Sequence, residues 1–341
     1  VAQSVGANGG VPPRSTCVFC HSRAGGDDNV KHGDISTDMT ATTKQYDVHM
    51  GTDGGNFTCV KCHQVKKDSA GNTLSHGIGG MAFHSIDEGA MQVCSDCHGA
   101  VTSIHAGTSV ESLVQSHSRL ACQVCHIPTI ARKVSTMVDW RWAEAGLDAA
   151  PGSCAPADPA VLPARPTYSK LKGCFTWKNN VRPTLRYFDG KWNRVMLNVN
   201  DQYASLPVDL ASPTATYQTP GAMIYPFKRM TGNQPADSAN KTVLVPNLFG
   251  NATTDPDAYW VSFDWGRALA SGTFYTGQPY SGTYEFVDTV MLLKVDHEVA
   301  PAEQAYGKDN GCADCHFSDQ IDWTALGWTK DPATGGTQTL P

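Results

Sequence analysis

The chain has 341 residues, enough for one or two globular domains with a sizeable core, and 40% of them are hydrophobic and 17% charged. No run of about 18 apolar residues occurs, which excludes a membrane-spanning helix. The formal net charge is −6, so the composition has no basic excess of the kind that indicates nucleic-acid binding. The exceptional feature is the presence of twelve cysteines together with twelve histidines.

Ten of the cysteines fall into five copies of the pattern Cys-x-x-Cys-His, four between residues 17 and 126 and one at residues 312–316. This pattern is the attachment signature of haem c. Two thiols three positions apart on a helical turn reach the two vinyl groups of the porphyrin, and the adjoining histidine supplies the proximal imidazole. Zinc sites do not require that histidine, and five redox-active cysteine pairs would be less expected still.

The sequence therefore predicts five covalently bound haem c groups. The cysteines expected to form the thioethers are Cys17, Cys20, Cys59, Cys62, Cys94, Cys97, Cys122, Cys125, Cys312 and Cys315. The histidines expected to bind iron on the proximal side are His21, His63, His98, His126 and His316.

The positions of the motifs divide the chain into a 1–16 N-terminal arm, a 17–126 four-haem segment, a 127–311 haem-free scaffold region packed on the haem stack, and a 312–341 segment with the fifth haem and a C-terminal arm. The four-haem segment is glycine-rich and has little hydrophobic periodicity, so we expect the porphyrins to supply its apolar mass. The predicted fold class is a multihaem cytochrome c of mostly irregular loops and short helices wrapped around a haem stack, with a mixed α+β haem-free central region.

Three elements are predicted in detail. Residues 111–125 place Leu113, Val114 and Leu120 on one face of a helix. Residues 185–188 and 191–197, joined by Asp-Gly, predict a hairpin with a two-residue turn. A helix is expected to begin at Asp-Pro of residues 255–256 and to end at Gly272. The scaffold region contains no nucleophile elbow, P-loop or dinucleotide fingerprint, so no catalytic residue is assigned.

The two cysteines outside the motifs are Cys154 and Cys174. Haem c is attached outside the cytoplasm, where disulfides persist, so we expect these residues to form a disulfide; the alternative is two buried free thiols. Such a bridge would stabilise the fold by about 3 kcal/mol. The chain begins without a leader pattern, and a signal peptide is expected to have been removed.

The sixth position of each iron decides between electron transfer and substrate chemistry. The histidines outside the motifs that are candidates for it are His32, His49, His76, His105, His117 and His297, with His84 a weaker candidate. Five would complete bis-histidine ligation of all five haems; methionine, or a lysine such as Lys66 or Lys67, is the alternative at any one site. His117 lies too close to the motif that follows it to cross to the far face of that haem, and is expected to serve a neighbouring one.

Several strings carry a resemblance to a known family, among them KHGD at residues 31–34, YDVHMG at 46–51, LACQVCHIP at 120–128 and HEVAP at 297–301. Across residues 17–330 the chain resembles the octahaem tetrathionate reductase family of c-type cytochromes. The resemblance implies that His32, His49, His76 and His297 occupy axial-ligand positions. That family carries eight haems, whereas this chain has five motifs. The resemblance implies that the family's N-terminal haems, among them the reactive lysine-ligated one, are missing here, and we therefore expect the electron-transfer part of the family to be retained.

The leading hypothesis is an electron conduit: a pentahaem cytochrome with mostly bis-histidine, low-spin haems. The alternative is a reductase of sulfur or nitrogen oxyanions that uses one open or lysine-ligated haem, and a third class is haem storage or a structural scaffold. We expect other redox proteins or extracellular acceptors as partners, an extracellular or cell-surface location rather than the periplasm, and self-association into an end-to-end filament through the two arms and the surplus histidines.

Overall fold

The structure is a computed structural model, and it describes residues 11–67, 69–70, 73–79, 91–195 and 201–339. In the strands at Val65–Lys67 and Thr73–Ile78 the description covers the backbone. His84, most of the predicted N-terminal arm and the last two residues lie outside the described residues, as do the side chains of His76, Lys66 and Lys67.

The helices are short except for the last. In chain order they are α1 Arg14–His21, α2 Cys94–His98, α3 Val101–Ile104, α4 Glu111–Ser116, α5 Cys122–His126, α6 Tyr259–Ser262 and α7 Trp265–Thr276. Single 3-10 turns cover Thr37–Thr40, Cys59–Lys61, Trp142–Glu144, Ala302–Gln304, Gly311–Asp314, Thr324–Leu326 and Pro332–Thr334. No helix in the described ranges has the length and apolar character that crossing a bilayer requires.

The strands concentrate in the predicted scaffold region. They are β1 Val65–Lys67, β2 Thr73–Ile78, β3 Thr136–Arg141, β4 Tyr168–Ser169, β5 Gly173–Lys178, β6 Thr184–Phe188, β7 Trp192–Arg194, β8 Val208–Pro213, β9 Met223–Asp237, β10 Thr242–Val243 and β11 Glu285–Lys294. β1 and β2 form a separate antiparallel pair, and the others join in one mixed sheet of order β4-β5-β3-β9-β11-β8-β7, with β6 and β10 also paired to β9.

The long strand β9 organises this sheet. It is antiparallel to β11 from Glu285 opposite Ala236 to Lys294 opposite Phe227, and it is parallel to β3. Phe227 is fully buried with Phe188 and Leu292 beside it. The mixed sheet and the short helices agree with the predicted mixed α+β region.

A second apolar cluster attaches α7 to the sheet. The rings of Tyr259 and Trp265 stack with centroids 3.8 Å apart, and Trp142 and Leu269 pack in the same cluster. Burying such aromatic side chains contributes on the order of 2–3 kcal/mol each. The haem-motif segments contribute little to these clusters, so the sheet is the part of the chain that carries an ordinary aliphatic and aromatic core.

The predicted hairpin is wrong in its pairing. Both strands and the turn form, but β6 pairs with β9 and β7 pairs with β8 instead of with each other. Gly190 adopts a φ of 93° in the turn. The chain there passes from β6, which pairs with β9, to β7, which pairs with β8. Phe188 still packs on Trp192, at a centroid distance of 5.2 Å, so the two strands remain close although their backbones pair elsewhere.

The predicted helix over residues 111–125 is also corrected. It divides into α4, which ends at Ser116, and α5, which begins at Cys122. Between them Leu120 forms a parallel bridge with Ile224 of β9, and the Ala121 N–H donates to the Ile224 carbonyl at 2.9 Å. Hydrogen bonding to the sheet therefore overrides the helical periodicity of this segment.

The predicted helix from residue 255 begins later and extends further than expected. Phe263 has a φ of 52° and separates α6 from α7, and the Asp264 side chain caps α7 by accepting from the Arg267 N–H at 3.1 Å. Gly272 lies inside α7, where an added Cβ would stand 2.1 Å from the Val245 carbonyl oxygen. That glycine permits close packing, and Gly277 is the residue that ends the helix.

The segment after β11 returns to the haem motifs. The Ala300 N–H donates to the His126 carbonyl at 2.8 Å, and the Tyr306 N–H donates to the Cys125 carbonyl at 3.0 Å. Ile321 and Leu326 then pack with Tyr187. The fourth motif precedes the strands of the sheet in the sequence and the fifth follows them, and both are held against that sheet.

Candidate functional site

Each Cys-x-x-Cys-His motif lies on one helical turn. α1, α2 and α5 contain the first, third and fourth motifs, while the second and fifth begin on 3-10 turns that end at Lys61 and Asp314. In those two turns the histidine N–H donates to the carbonyl of the first cysteine, His63 to Cys59 at 2.9 Å and His316 to Cys312 at 2.8 Å. Such a turn gathers two thiols and one imidazole in a small volume, which is what haem c attachment requires.

Four motif histidines each face a histidine from elsewhere in the chain. Their ring centroids are 6.0 Å apart for His49 with His98, 6.0 Å for His63 with His297, 6.2 Å for His105 with His126, and 6.0 Å for His117 with His316. Two imidazoles that bind one iron from opposite sides have centroids about 6 Å apart, because each metal–nitrogen bond is about 2 Å and each centroid lies about 1 Å beyond its nitrogen. The four separations fit such an arrangement.

Hydrogen bonds fix the orientation of five of these rings through Nδ1. In three of them Nδ1–H donates to a backbone carbonyl: His63 to Gly79 at 2.8 Å, His105 to Val101 at 2.7 Å and His117 to Leu113 at 2.8 Å. The other two, His297 and His316, bond to carboxylates. An Nδ1–H engaged in this way leaves the Nε2 lone pair available to a metal. Within the described ranges, no group of three or more metal-binding side chains comes together; these histidines meet in pairs.

His297 contacts a buried carboxylate. Its Nδ1 lies 3.1 Å from Asp34 Oδ2, and that oxygen also accepts the backbone N–H groups of Asp296 and His297, each at 2.9 Å. Burial alone would lower the pKa of His297, but the hydrogen bond and charge of Asp34 outweigh it and raise the pKa to about 9. The facing ring behaves oppositely, because burial and then the charge of His297 lower the pKa of His63.

His316 has the second carboxylate. Its Nδ1 lies 2.7 Å from Asp331 Oδ1, and the Phe317 N–H donates to the other oxygen at 2.6 Å. Burial would raise the pKa of Asp331, but the bonds from Phe317 and His316 lower it on balance. Trp323 stacks on the His316 ring at 5.0 Å, which further restricts its rotation.

The thiols of consecutive motifs lie near enough to influence one another's pKa. Interaction with Cys59 lowers the pKa of Cys17, and interaction with Cys94 lowers that of Cys122. Burial and then the charge of Cys97 raise the pKa of Cys62, and burial and then the charge of Cys315 raise that of Cys125. These interactions place the first motif near the second, the second near the third, the third near the fourth and the fourth near the fifth. The motifs therefore form a spatial series in the order of the sequence.

Apolar side chains near the motifs are unusually exposed. Val93, Val101 and Ile104 are each at least 40% accessible, although ordinary folding buries such residues. A porphyrin beside each motif would cover this apolar surface. The exposed side chains, the facing imidazoles and the paired thiols together fit haem c.

The remaining predicted residues are placed as follows. His21 ends α1, and His32 lies near enough to Asp34 for its charge to help lower the pKa of that carboxyl, which burial by itself would raise. His76 belongs to β2 by its backbone, and its side chain, like the whole of His84, lies outside the described residues. Cys154 and Cys174 form a disulfide that ties a loop to the buried strand β5.

Three buried polar residues that support this site escaped the sequence reasoning. Asp34 lies inside the KHGD string, and its position two residues after His32 was the available signal. Asp331 has no local signal, because it follows its motif by fifteen residues within a polar segment. Lys228 is fully buried, and its Nζ donates to the Val30 and Lys31 carbonyls at 2.6 and 2.8 Å. It thereby anchors the loop that bears His32 and Asp34.

Comparisons with known proteins agree with these features. The family model for bacterial cytochrome c matches residues 137–319. The crystal structure of octaheme cytochrome c from Shewanella oneidensis is similar to this chain with a TM-score of 0.76 and 32% sequence identity, over 95% of this chain and 68% of that chain. No match was found among the curated proteins compared. The resemblance to octahaem c-type cytochromes is confirmed, and the chain belongs to the bacterial multihaem cytochrome c family.

Proposed function

We propose that this protein carries electrons through five covalently bound haem c groups. The observation that carries the proposal is the set of four facing histidine pairs, each joining one motif histidine to one distant histidine at 6.0–6.2 Å. A haem with two imidazole ligands has no open coordination position for a substrate, so its role is electron transfer. Because haem c is attached outside the cytoplasm, the protein is extracytoplasmic.

The pairs support a proposed distal ligand for each of four haems. We assign His297 to the haem of the second motif, His49 to that of the third, His105 to that of the fourth and His117 to that of the fifth. The haem of the first motif has His21 as its proximal ligand, and the distal candidates left for it are His32, His76 and His84.

The spatial order of the thiols supports a continuous path for electrons from the first motif to the fifth. When bound, haem c supplies a one-electron ferric/ferrous couple. The chain's own residues hold successive motifs near one another, so that a reduced donor protein can deliver an electron at one end and an oxidised acceptor can receive it at the other. The acidic net charge of −6 favours basic partners, and their association would weaken as salt is added.

Electron paramagnetic resonance of the oxidised protein tests this function. Five bis-histidine haems should give only low-spin ferric signals. A substantial high-spin signal would contradict the proposal and would favour a reductase of sulfur or nitrogen oxyanions with one open haem. A lysine-ligated haem would also be low-spin, and its distinct signal would point to the same alternative.

We further propose that the protein acts outside the cell and associates end to end into a filament. The first and fifth motifs are the ends of the series, and each carries an exposed phenylalanine, Phe19 at 65% and Phe317 at 64% accessibility. Apolar side chains exposed at both ends support a head-to-tail contact, which produces an open filament when it does not close. Electron microscopy of the native protein at high concentration should reveal filaments; compact particles alone would rule them out.

A further inference from the structure

The five anchored histidines differ in what holds their Nδ1. His63, His105 and His117 bond to neutral backbone carbonyls, whereas His297 and His316 bond to the carboxylates of Asp34 and Asp331. The two carboxylates serve different pairs, the one that includes His63 and the one that includes His117. The pairs of the third and fourth motifs have no carboxylate among the bonds that the described residues make to their ring nitrogens.

Asp34 is built to remain a carboxylate. It is 1% exposed, and three donors converge on its Oδ2: the Nδ1 of His297, the N–H of His297 and the N–H of Asp296. Hydrogen bonds to the charged form favour that form. The burial of Asp34 also means that its charge is little screened by water, so its effect on the attached imidazole is strong.

Asp331 is also held as a carboxylate, by different hydrogen-bond donors. Its Oδ1 accepts from His316 at 2.7 Å and from the Ala333 N–H at 2.8 Å, and its Oδ2 accepts from the Phe317 N–H at 2.6 Å. The backbone of the turn after the fifth motif therefore fixes this carboxylate against the motif's own histidine.

A carboxylate at Nδ1 makes an imidazole a stronger electron donor than a carbonyl does. Greater donation stabilises the ferric state more than the ferrous state, so the haem takes up its single electron less readily. Axial ligands and the hydrogen bonds behind them are established means by which a protein sets haem potential.

We propose that Asp34 and Asp331 are positioning residues that lower the reduction potentials of the haems of the second and fifth motifs below those of the third and fourth. This inference rests on the proposed function, because it needs His297 and His316 to be iron ligands. It implies that an electron entering the partly reduced protein resides mainly on the haems of the third and fourth motifs, which lie between the two carboxylate-linked sites.

The test is a spectroelectrochemical titration of the whole haem-loaded protein, resolved into one-electron components. Asp34→Asn and Asp331→Asn each keep an oxygen that can accept from Nδ1–H, so the ring stays oriented while the charge is removed. We expect each variant to shift one low-potential component upward by at least tenfold in its reduction equilibrium, which is 59 mV for a one-electron couple. The two variants should shift different components, and the double variant should shift both.

Asp237→Asn is the matched control. Asp237 is fully buried and accepts from the Ala239, Asn240 and Ser281 N–H groups, but it bonds to no histidine. Its variant should leave all five components in place. Equal shifts in this control, or unchanged titrations in both test variants, would overturn the tuning role.

The outcomes separate this inference from the proposed function. Low-spin signals from all five haems with unchanged titrations would leave electron transfer standing and remove the tuning. High-spin wild-type protein would contradict the function itself. If Asp34→Asn loses a haem, Asp34 has a structural role and tuning at that site is rejected; Asp331→Asn then decides the question for the fifth motif.

Discussion

The rings of His63 and His297 lie nearly parallel, at an interplanar angle of 16° and a centroid distance of 6.0 Å, although one belongs to the second haem motif and the other follows the last strand of the sheet. Gly79 fixes one ring through its carbonyl and Asp34 fixes the other through its carboxylate. The protein thus specifies both sides of this site before any metal is considered.

Replacing His297 by alanine should open one haem. The imidazole facing His63 is lost, and carbon monoxide should bind one iron per molecule of the reduced variant and change its visible spectrum. Reduced wild-type protein should bind none. A variant with unaltered carbon monoxide binding would show that His297 is not a ligand.

The haem count can be measured by mass spectrometry of the denatured protein, since thioether bonds survive denaturation. We expect a mass increment of five haems. The double variant Cys312→Ala, Cys315→Ala should lose one haem and keep the other four, because each motif supplies the thiols for its own haem. An increment of four in the wild type would contradict the assignment, and the same double variant would then reveal whether the fifth motif is the unused one.

Replacing Lys228 by methionine should destabilise the fold by about 3 kcal/mol, because buried acceptors lose their donor. The Nζ of Lys228 donates to Val30 O, Lys31 O and Thr136 Oγ1 at 2.6–2.8 Å. Chemical denaturation followed by tryptophan fluorescence measures the change. Lys170→Met, at an exposed ion pair, is the control and should leave the denaturation midpoint where it is.

The same lysine gives the stability a pH dependence. Burial lowers the pKa of Lys228 well below its usual range, against the opposing charge of Asp34. Between that lowered pKa and about 10.4 the unfolded chain binds more protons than the folded chain, so the contribution of Lys228 makes stability rise with pH across this window. The Lys228→Met variant should have a flatter profile there; an identical slope would contradict the assignment.

Removing the disulfide should weaken the scaffold without affecting the haems. The Cys154–Cys174 bridge has a sequence separation of 20, and closing a loop of that length contributes about 3 kcal/mol. The double variant Cys154→Ser, Cys174→Ser should unfold at lower denaturant concentration and keep the wild-type visible spectrum. Reductant should shift the wild-type midpoint in the same direction and have no effect on the variant, and any other pattern would count against this role.

The part of the site that sequence could predict is the part encoded locally. The thiols and proximal histidines follow from five-residue motifs, and short helical turns of the expected kind carry them. The partners His49, His105, His117 and His297 could be proposed only as candidates, because which pairs meet depends on how distant segments fold together. Asp331 escaped detection for the same reason.

Two of the errors in secondary structure, the divided helix and the mispaired hairpin, have one physical source. Residues 117–121 have the periodicity of a helix, and residues 185–194 have the pattern of two strands and a turn. Hydrogen bonds to strands far away in the sequence nevertheless decide what these residues pair with. The Leu120–Ile224 bridge interrupts the predicted helix. β6 pairs with β9 instead of with β7, the strand that follows β6 in the sequence. Tertiary context overrides local propensity at these positions.

The pairing of His117 with His316 encloses almost the entire sheet within one chain loop. Loop-closure entropy grows only logarithmically, and each doubling of length costs only about 0.6 kcal/mol more. An insertion of domain size between a ligand and its partner therefore weakens the site little more than a short linker would. In thermodynamic terms the scaffold region is an inexpensive insertion, which explains how a haem series and a large aromatic-rich sheet coexist in one polypeptide.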